Sequence, residues 1–176
     1  MFLIMKIYLE VYGCTANKAD ASLIKGILQE NKYEIVENLD DANFVVILTC
    51  TVIDKTEQRM LSRLKKIKTS RKKIIVAGCM ASIQNEKIRQ IVPNARFLPP
   101  QYSHHIIDII ENKNASFIEK NKTSFSKKFD DIIAPIAIAE GCMFSCSYCI
   151  TTHARGKLRS FPIDEIKKYI SFAVNC

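Results

Sequence analysis

No stretch of this 176-residue chain reaches the roughly 18 consecutive apolar residues that cross a bilayer as a helix. The opening MFLIMKIYLEVYG is apolar, but Lys6 and Glu10 interrupt it and no small-residue cleavage site follows. The expectation is a cytoplasmic protein with no membrane contact. A disulfide framework is equally poorly supported, because seven cysteines cannot all pair and thiols stay reduced in the cytosol. Acidic residues are missing altogether between Gln58 and Lys73, where Arg59, Arg63, Lys65, Lys66, Lys68, Arg71, Lys72 and Lys73 crowd together in a chain of net charge +8. Disorder is excluded by the 48% of apolar residues, enough to build a core.

What is present alternates between two periods. MKIYLEVYG, YEIV, FVVILT, KKIIVAG and ARFLPP read as strands, the β-branched runs suiting strands buried on both faces. Between them lie helical patterns over about 18–31, over the basic run, over 85–91 and over SHHIIDIIENK. Strand and helix in alternation imply an α/β fold around a parallel, twisted sheet of the Rossmann or flavodoxin kind. In the basic helix Met60, Leu61, Leu64 and Ile67 share one face, and the charges on the other are either simply solvated or available to a polyanion such as RNA. Residues 114–130, rich in Asn, Ser and Lys, read as a linker or an exposed two-strand excursion after a first domain at 1–113. From 131 to 176, IIAPIAIAEG reads as a buried strand, a cysteine loop follows, and PIDEIKKYISFAVNC reads as a helix with Pro162 near its first turn. One strand, one loop and one helix cannot bury a core, so this second domain is expected to be truncated.

The cysteines fall at telling places. Cys14, Cys50 and Cys79 each stand just past a predicted strand, and in a parallel sheet the carboxyl ends of the strands share the edge where such folds bind ligands. Singly, each would pass for a buried small hydrophobe. Together they form a trio on one rim, with Gly13 and Gly78 allowing close backbone approach to a bulky group. A second trio, Cys142, Cys146 and Cys149, sits in EGCMFSCSYCITTHARGKLRS with the spacing Cys-x3-Cys-x2-Cys. Three thiolates in a short loop suit an iron–sulfur cubane that leaves one iron open. A zinc site completed by a borrowed ligand such as His153, in a module whose basic helix touches RNA, is the alternative. Cys176 is given no role. Arg155, Lys157 and Arg159 are candidates for binding a carboxylate or phosphate, or are solvated loop residues. Asn17 and Asp20 fit turn and cap duties, and His104 and His105 are treated as structural.

GCMFSCSYC resembles the signature loop of radical S-adenosylmethionine enzymes. With YGCTANKAD, whose Asn17 and Asp20 match the pattern after the first cysteine, ILTCTVIDKTE, VAGCM and ARGKLRSFP, the chain is similar along nearly its whole length to the MiaB-like methylthiotransferases. That resemblance implies two 4Fe-4S clusters: an auxiliary one on Cys14, Cys50 and Cys79, and a radical one on Cys142, Cys146 and Cys149 that chelates S-adenosylmethionine, with Tyr148 beside the adenine. It further implies a radical β/α barrel, of which the chain holds the first strand, loop and helix, then an RNA-binding TRAM domain. It implies reduction by a protein such as flavodoxin or ferredoxin, cleavage of S-adenosylmethionine at one cluster, and delivery of a methylthio group from the other to a tRNA adenosine near the anticodon. CITTHARGKLRSFP is closer to the archaeal and eukaryotic branch acting on N6-threonylcarbamoyladenosine than to that acting on isopentenyladenosine. A related enzyme acting on a ribosomal protein is a further alternative.

Overall fold

The computed structural model describes residues 4–52, 54–113, 117–129 and 132–175. Its strands and helices run β1 (Lys6–Val11), α1 (Thr15–Glu30), β2 (Glu34–Val36), β3 (Phe44–Thr49), α2 (Asp54–Lys68), β4 (Lys73–Gly78), α3 (Cys79–Ile83), α4 (Asn85–Ile91), β5 (Arg96–Leu98), α5 (Ile106–Glu111), β6 (Ala139–Glu140), α6 (Thr151–Arg155), β7 (Arg159–Ser160) and α7 (Ile163–Val174). The first five strands form one wholly parallel sheet in the order β2-β1-β3-β4-β5. This is the doubly wound α/β arrangement of flavodoxin-like folds, in which strand order reverses between β1 and β3.

β3 explains why the sheet forms here. All six residues of FVVILT are buried, and they alternate between two cores. Phe44, Val46 and Leu48 pack with Leu23, Ile24 and Leu28 of α1 on one side, whereas Val45 and Ile47 pack with Met60, Leu64 and Ile67 of α2 on the other. A strand apolar on both faces is stable only when helices cover both, and the apolar stripes of α1 and α2 supply that cover. Removing a side chain as large as Ile47 from such a position costs about 2–5 kcal/mol. The basic side chains of α2 face outward, apart from Arg63. Its guanidinium forks onto Glu10 (2.9 and 3.1 Å from Nε), whose carboxylate also accepts from Tyr8 and Tyr12.

Two elements differ from the sequence expectation. The strand expected over IIAPIAIAEG shrinks to Ala139–Glu140, paired antiparallel with Arg159–Ser160, and Ile132, Ile133 and Ile138 are exposed. Their apolarity favours burial, and Phe161 N–H donates to Ile138 O (2.9 Å), but the strand pairing itself is confined to Ala139–Glu140 with Arg159–Ser160. The described part of the segment expected as linker, residues 117–129, carries a single 3-10 turn, Lys122–Ser124, and runs along α1. Gly26 makes this approach possible: a Cβ there would meet the Ser126 carbonyl oxygen at 2.3 Å. Glycine weakens a helix interior, so its presence in α1 reflects this contact. The Lys128 N–H donates to Ser22 O (2.9 Å) and Phe125 joins the core beneath. The first residues of the expected linker and second domain, at 114 and 131, lie outside the described residues, as does Cys176.

Histidines fasten the same segment. His104 and His105 end a 3-10 turn before α5, and each places Nε2 against Ile118 O, at 2.9 and 3.2 Å. Burial pushes His104 down to about 4, with His105, Lys122 and Lys120 adding to the effect. A histidine whose folded value lies below its unfolded 6.5 binds more protons when unfolded, so its stabilisation is present above 6.5 and is lost as pH falls toward 4. Lowering the pH from about 7 to about 5 is therefore expected to remove about 2 kcal/mol through this residue. Denaturant titrations at the two pH values check this; His104→Phe should flatten the difference.

Candidate functional site

The register of the sheet brings the first cysteine trio together. Thr49 pairs with Gly78, so Cys50 and Cys79 leave β3 and β4 side by side, and Val11 pairs with Leu48, which sets Gly13 beside Cys50. Gly13 has φ +102°, and a Cβ on it would lie 2.4 Å from the Cys50 Cβ and 3.0 Å from its Sγ. Only glycine lets the chain turn there and pass over the second thiol. Cys14 is exposed, Cys50 and Cys79 are buried, and a cavity of about 370 Å³ opens between Gly13, Cys14, Cys50, Val52, Thr56 and Arg59. The trio therefore lies at the carboxyl edge of the sheet, where the strand order reverses.

The surrounding hydrogen bonds fix this edge. Asn17, fully buried in the first turn of α1, donates Nδ2 to Tyr12 O (2.7 Å) and Thr49 O (2.8 Å), clamping the ends of both cysteine-bearing strands. Cys50 N–H points at the Met60 sulfur (3.2 Å). Glu57, buried in α2, accepts from Thr51 Oγ1 (3.2 Å) and Gln84 Nε2 (2.9 Å) and pairs with Lys87, locking the loop after Cys50 to the end of α3. Burial pushes the Cys79 thiol up, and the Arg155 guanidinium beside it pulls the other way.

The second trio is built differently. Cys142 and Cys149 are half-buried and Cys146 is exposed. The loop is pinned at its base, where Cys142 N–H donates to Gly156 O and Leu158 N–H to Cys142 O, both at 3.2 Å. At its end, Cys149 N–H donates to Cys146 O (3.1 Å). Hydrogen bonds from the side chain and backbone of Thr151 and from the Thr152 backbone hold the Cys149 thiol below the usual range, favouring its thiolate. Tyr148 is 89% exposed, and His153 is exposed on α6.

Among the described residues no cluster of three or more His, Cys, Asp or Glu side chains closes tightly enough to hold one metal ion. A cubane does not ask for such closure, since each cysteine binds a different iron. The donor set, two soft trios in separate surroundings, fits that group. Three assignments from sequence need correcting. Arg155 is not a solvated loop residue: it is buried, with Asn17, Asp20 and Glu140 as partners. Arg159 is paired with Glu119 (3.0 Å). Asn17 and Asp20 serve as buried clamps, not caps. Gln84 carries no motif in the sequence, Glu57 ends ILTCTVIDKTE with nothing there to mark its role, and Met60 signals only an apolar helix face.

The model of uncharacterized protein family UPF0004 matches residues 6–98, and the chain belongs to that family. The chain is 35% identical, over 98% of its length, to a protein of Methanocaldococcus jannaschii named probable threonylcarbamoyladenosine tRNA methylthiotransferase. It is 34% identical over 94% of its length to a tRNA-2-methylthio-N(6)-dimethylallyladenosine synthase of Thermodesulfovibrio yellowstonii. It is 31% identical over 88% of its length to the ribosomal protein uS12 methylthiotransferase RimO of a Synechococcus. It spans 43%, 41% and 36% of those relatives respectively. No helix among the described residues is long and apolar enough to cross a membrane.

Proposed function

We propose that this chain is the amino-terminal part of a cytoplasmic radical S-adenosylmethionine methylthiotransferase that converts N6-threonylcarbamoyladenosine, next to the anticodon of tRNA, to its 2-methylthio derivative. Residues 1–113 would form the auxiliary-cluster domain and 131–176 the start of the radical barrel, joined by 114–130. The observation that carries this reading is the presence of two separate cysteine trios, one at the carboxyl edge of a parallel sheet and one in an exposed loop.

Cys14, Cys50 and Cys79 would hold one 4Fe-4S cluster, and Cys142, Cys146 and Cys149 the other. When bound, these groups supply reductive cleavage of S-adenosylmethionine and presentation of sulfur, with electrons from a flavodoxin or ferredoxin. The chain's own residues do the rest. Asn17 and Glu57 hold the sheet-edge loops in place, Gly13 leaves room over Cys50, and the Thr151 and Thr152 donors favour the Cys149 thiolate. Exposed Tyr148 is available to stack on adenine.

The branch acting on threonylcarbamoyladenosine is favoured by the names of four archaeal relatives, each 32–35% identical over at least 92% of the chain. Its substrate carries a carboxylate, which needs a cation once removed from water. Arg155 and Arg159 are engaged by the chain's own carboxylates, which leaves exposed Lys157 as the candidate from this loop. Protein extended through the whole barrel, incubated with the two modified tRNAs, should methylthiolate the threonylcarbamoyl form and leave the isopentenyl form unchanged. Nucleoside mass spectrometry decides, and product from the isopentenyl form alone would overturn the assignment.

A further inference from the structure

Buried charge next to the sheet-edge trio comes from parts of the chain far apart in sequence. Arg155, last residue of α6 and 9% exposed, sends Nη2 to Asn17 Oδ1 (2.9 Å) and Asp20 Oδ2 (2.8 Å), and Nη1 to Glu140 Oε1 (3.1 Å). Lys122 Nζ closes the ring, 2.7 Å from both Asp20 and Glu140. Two buried cations thus face two carboxylates, and the half-buried Arg159 adds a third, its Nη2 lying 3.6 Å from Glu140 Oε2. A guanidinium has five N–H donors in a fixed fork, so these three bonds do not exhaust it. Arg155 stands at the contact between α6 and α3, the helix that Cys79 opens, where Ser82 Oγ donates to Ala154 O (2.9 Å), and its charge acts against the burial that pushes the Cys79 thiol up. Asn17, which accepts from Arg155, also grips the backbone just before Gly13–Cys14 and just before Cys50. One buried network therefore underlies the helix that Cys79 opens and reaches the backbone beside the other two cysteines through Asn17.

We propose that Arg155 is a positioning residue of the auxiliary cluster: it donates to the Cys79 sulfur and ties the docking of the second cysteine loop to the electronic state of the sheet-edge site. The inference rests on the reading of Cys14, Cys50 and Cys79 as cluster ligands. Its physical basis is that hydrogen bonds to cluster sulfurs and local net charge set the reduction potential, because the reduced cluster carries one more negative charge. A cation donating to a ligand sulfur favours the reduced form. Because Arg155 closes α6, six residues after Cys149, a shift of the radical-cluster loop would move this donor and alter the potential of the other site.

The test uses the chain carrying Cys142→Ala, Cys146→Ala and Cys149→Ala, so that only the sheet-edge site is reconstituted. The one-electron couple is titrated anaerobically with dithionite and followed by electron paramagnetic resonance. Arg155→Gln should shift the midpoint potential downward, and Asp20→Asn, which removes a negative charge from the same network, should shift it upward. Ser82→Ala is the structural control: Ser82 Oγ donates to Ala154 O (2.9 Å) on the contact between α3 and α6 but carries no charge. It should leave the potential unmoved. If Arg155→Gln fails to fold, Arg155→Lys, which keeps the charge and loses the fork, should give a smaller downward shift beside the Asp20→Asn result. A cluster that binds normally with unmoved potentials, or with equal shifts in Arg155→Gln and Ser82→Ala, overturns the inference alone. Failure of the triple variant to bind iron overturns the ligand reading and the inference with it.

Discussion

Cys14→Ala, Cys50→Ala and Cys79→Ala are each expected to remove about half of the iron and acid-labile sulfide of the anaerobically reconstituted chain, because each deletes a thiolate from one of two cysteine trios. The expectation comes from the sheet. Register fixes Cys50 and Cys79 side by side and brings Gly13 against Cys50, so no other thiol can move in to replace a lost one. Cys50→Ala in particular should fold normally, since it shortens a small buried side chain by one atom at a site that keeps its neighbours Met60 and Thr49. Thermal denaturation separates that outcome from unfolding. Wild-type iron content in all three variants would rule out the sheet-edge site. Gly13→Ala is a stringent companion: with φ at +102° and Cys50 Cβ at 2.4 Å, it should both destabilise the chain and lower iron loading at this site.

A complete loss is expected from the other trio. In protein extended through the barrel, Cys142→Ala, Cys146→Ala or Cys149→Ala should abolish cleavage of S-adenosylmethionine, whereas Cys14→Ala should preserve cleavage and stop methylthio transfer. The two trios stand on different supports, the edge of a parallel sheet and a loop pinned at Gly156 and Leu158, so loss of a thiol from one leaves all three thiols of the other in place. Measuring 5'-deoxyadenosine in each variant, beside modified nucleoside, checks the division. Equal 5'-deoxyadenosine from both sets of variants would sink it. Thr151→Val adds a graded case: by removing the side-chain hydrogen bond that lowers the Cys149 thiol, it should slow reconstitution of the radical cluster near neutral pH without preventing it above the thiol's ordinary range.

The sequence by itself determined the sheet and the identity of the cysteines. FVVILT and KKIIVAG are apolar on both faces, which only a strand covered by helices on both sides satisfies, and the stripe Met60, Leu61, Leu64, Ile67 announces one of those helices. Strands that end in cysteines then put three thiols on one rim, as the register bears out. What only the tertiary structure decided is how charge is placed beneath that rim. Asn17, Asp20, Lys122, Glu140 and Arg155 span most of the chain, and a buried ion network has no periodicity or spacing to betray it. Each of those residues reads as a surface residue alone, because an isolated charge belongs in water. They are buried only because each finds an opposite charge or a hydrogen-bond partner already held by another part of the fold. The short strand at Ala139–Glu140 follows the same rule: hydrophobicity proposes a strand, but a partner must be present to accept its hydrogen bonds.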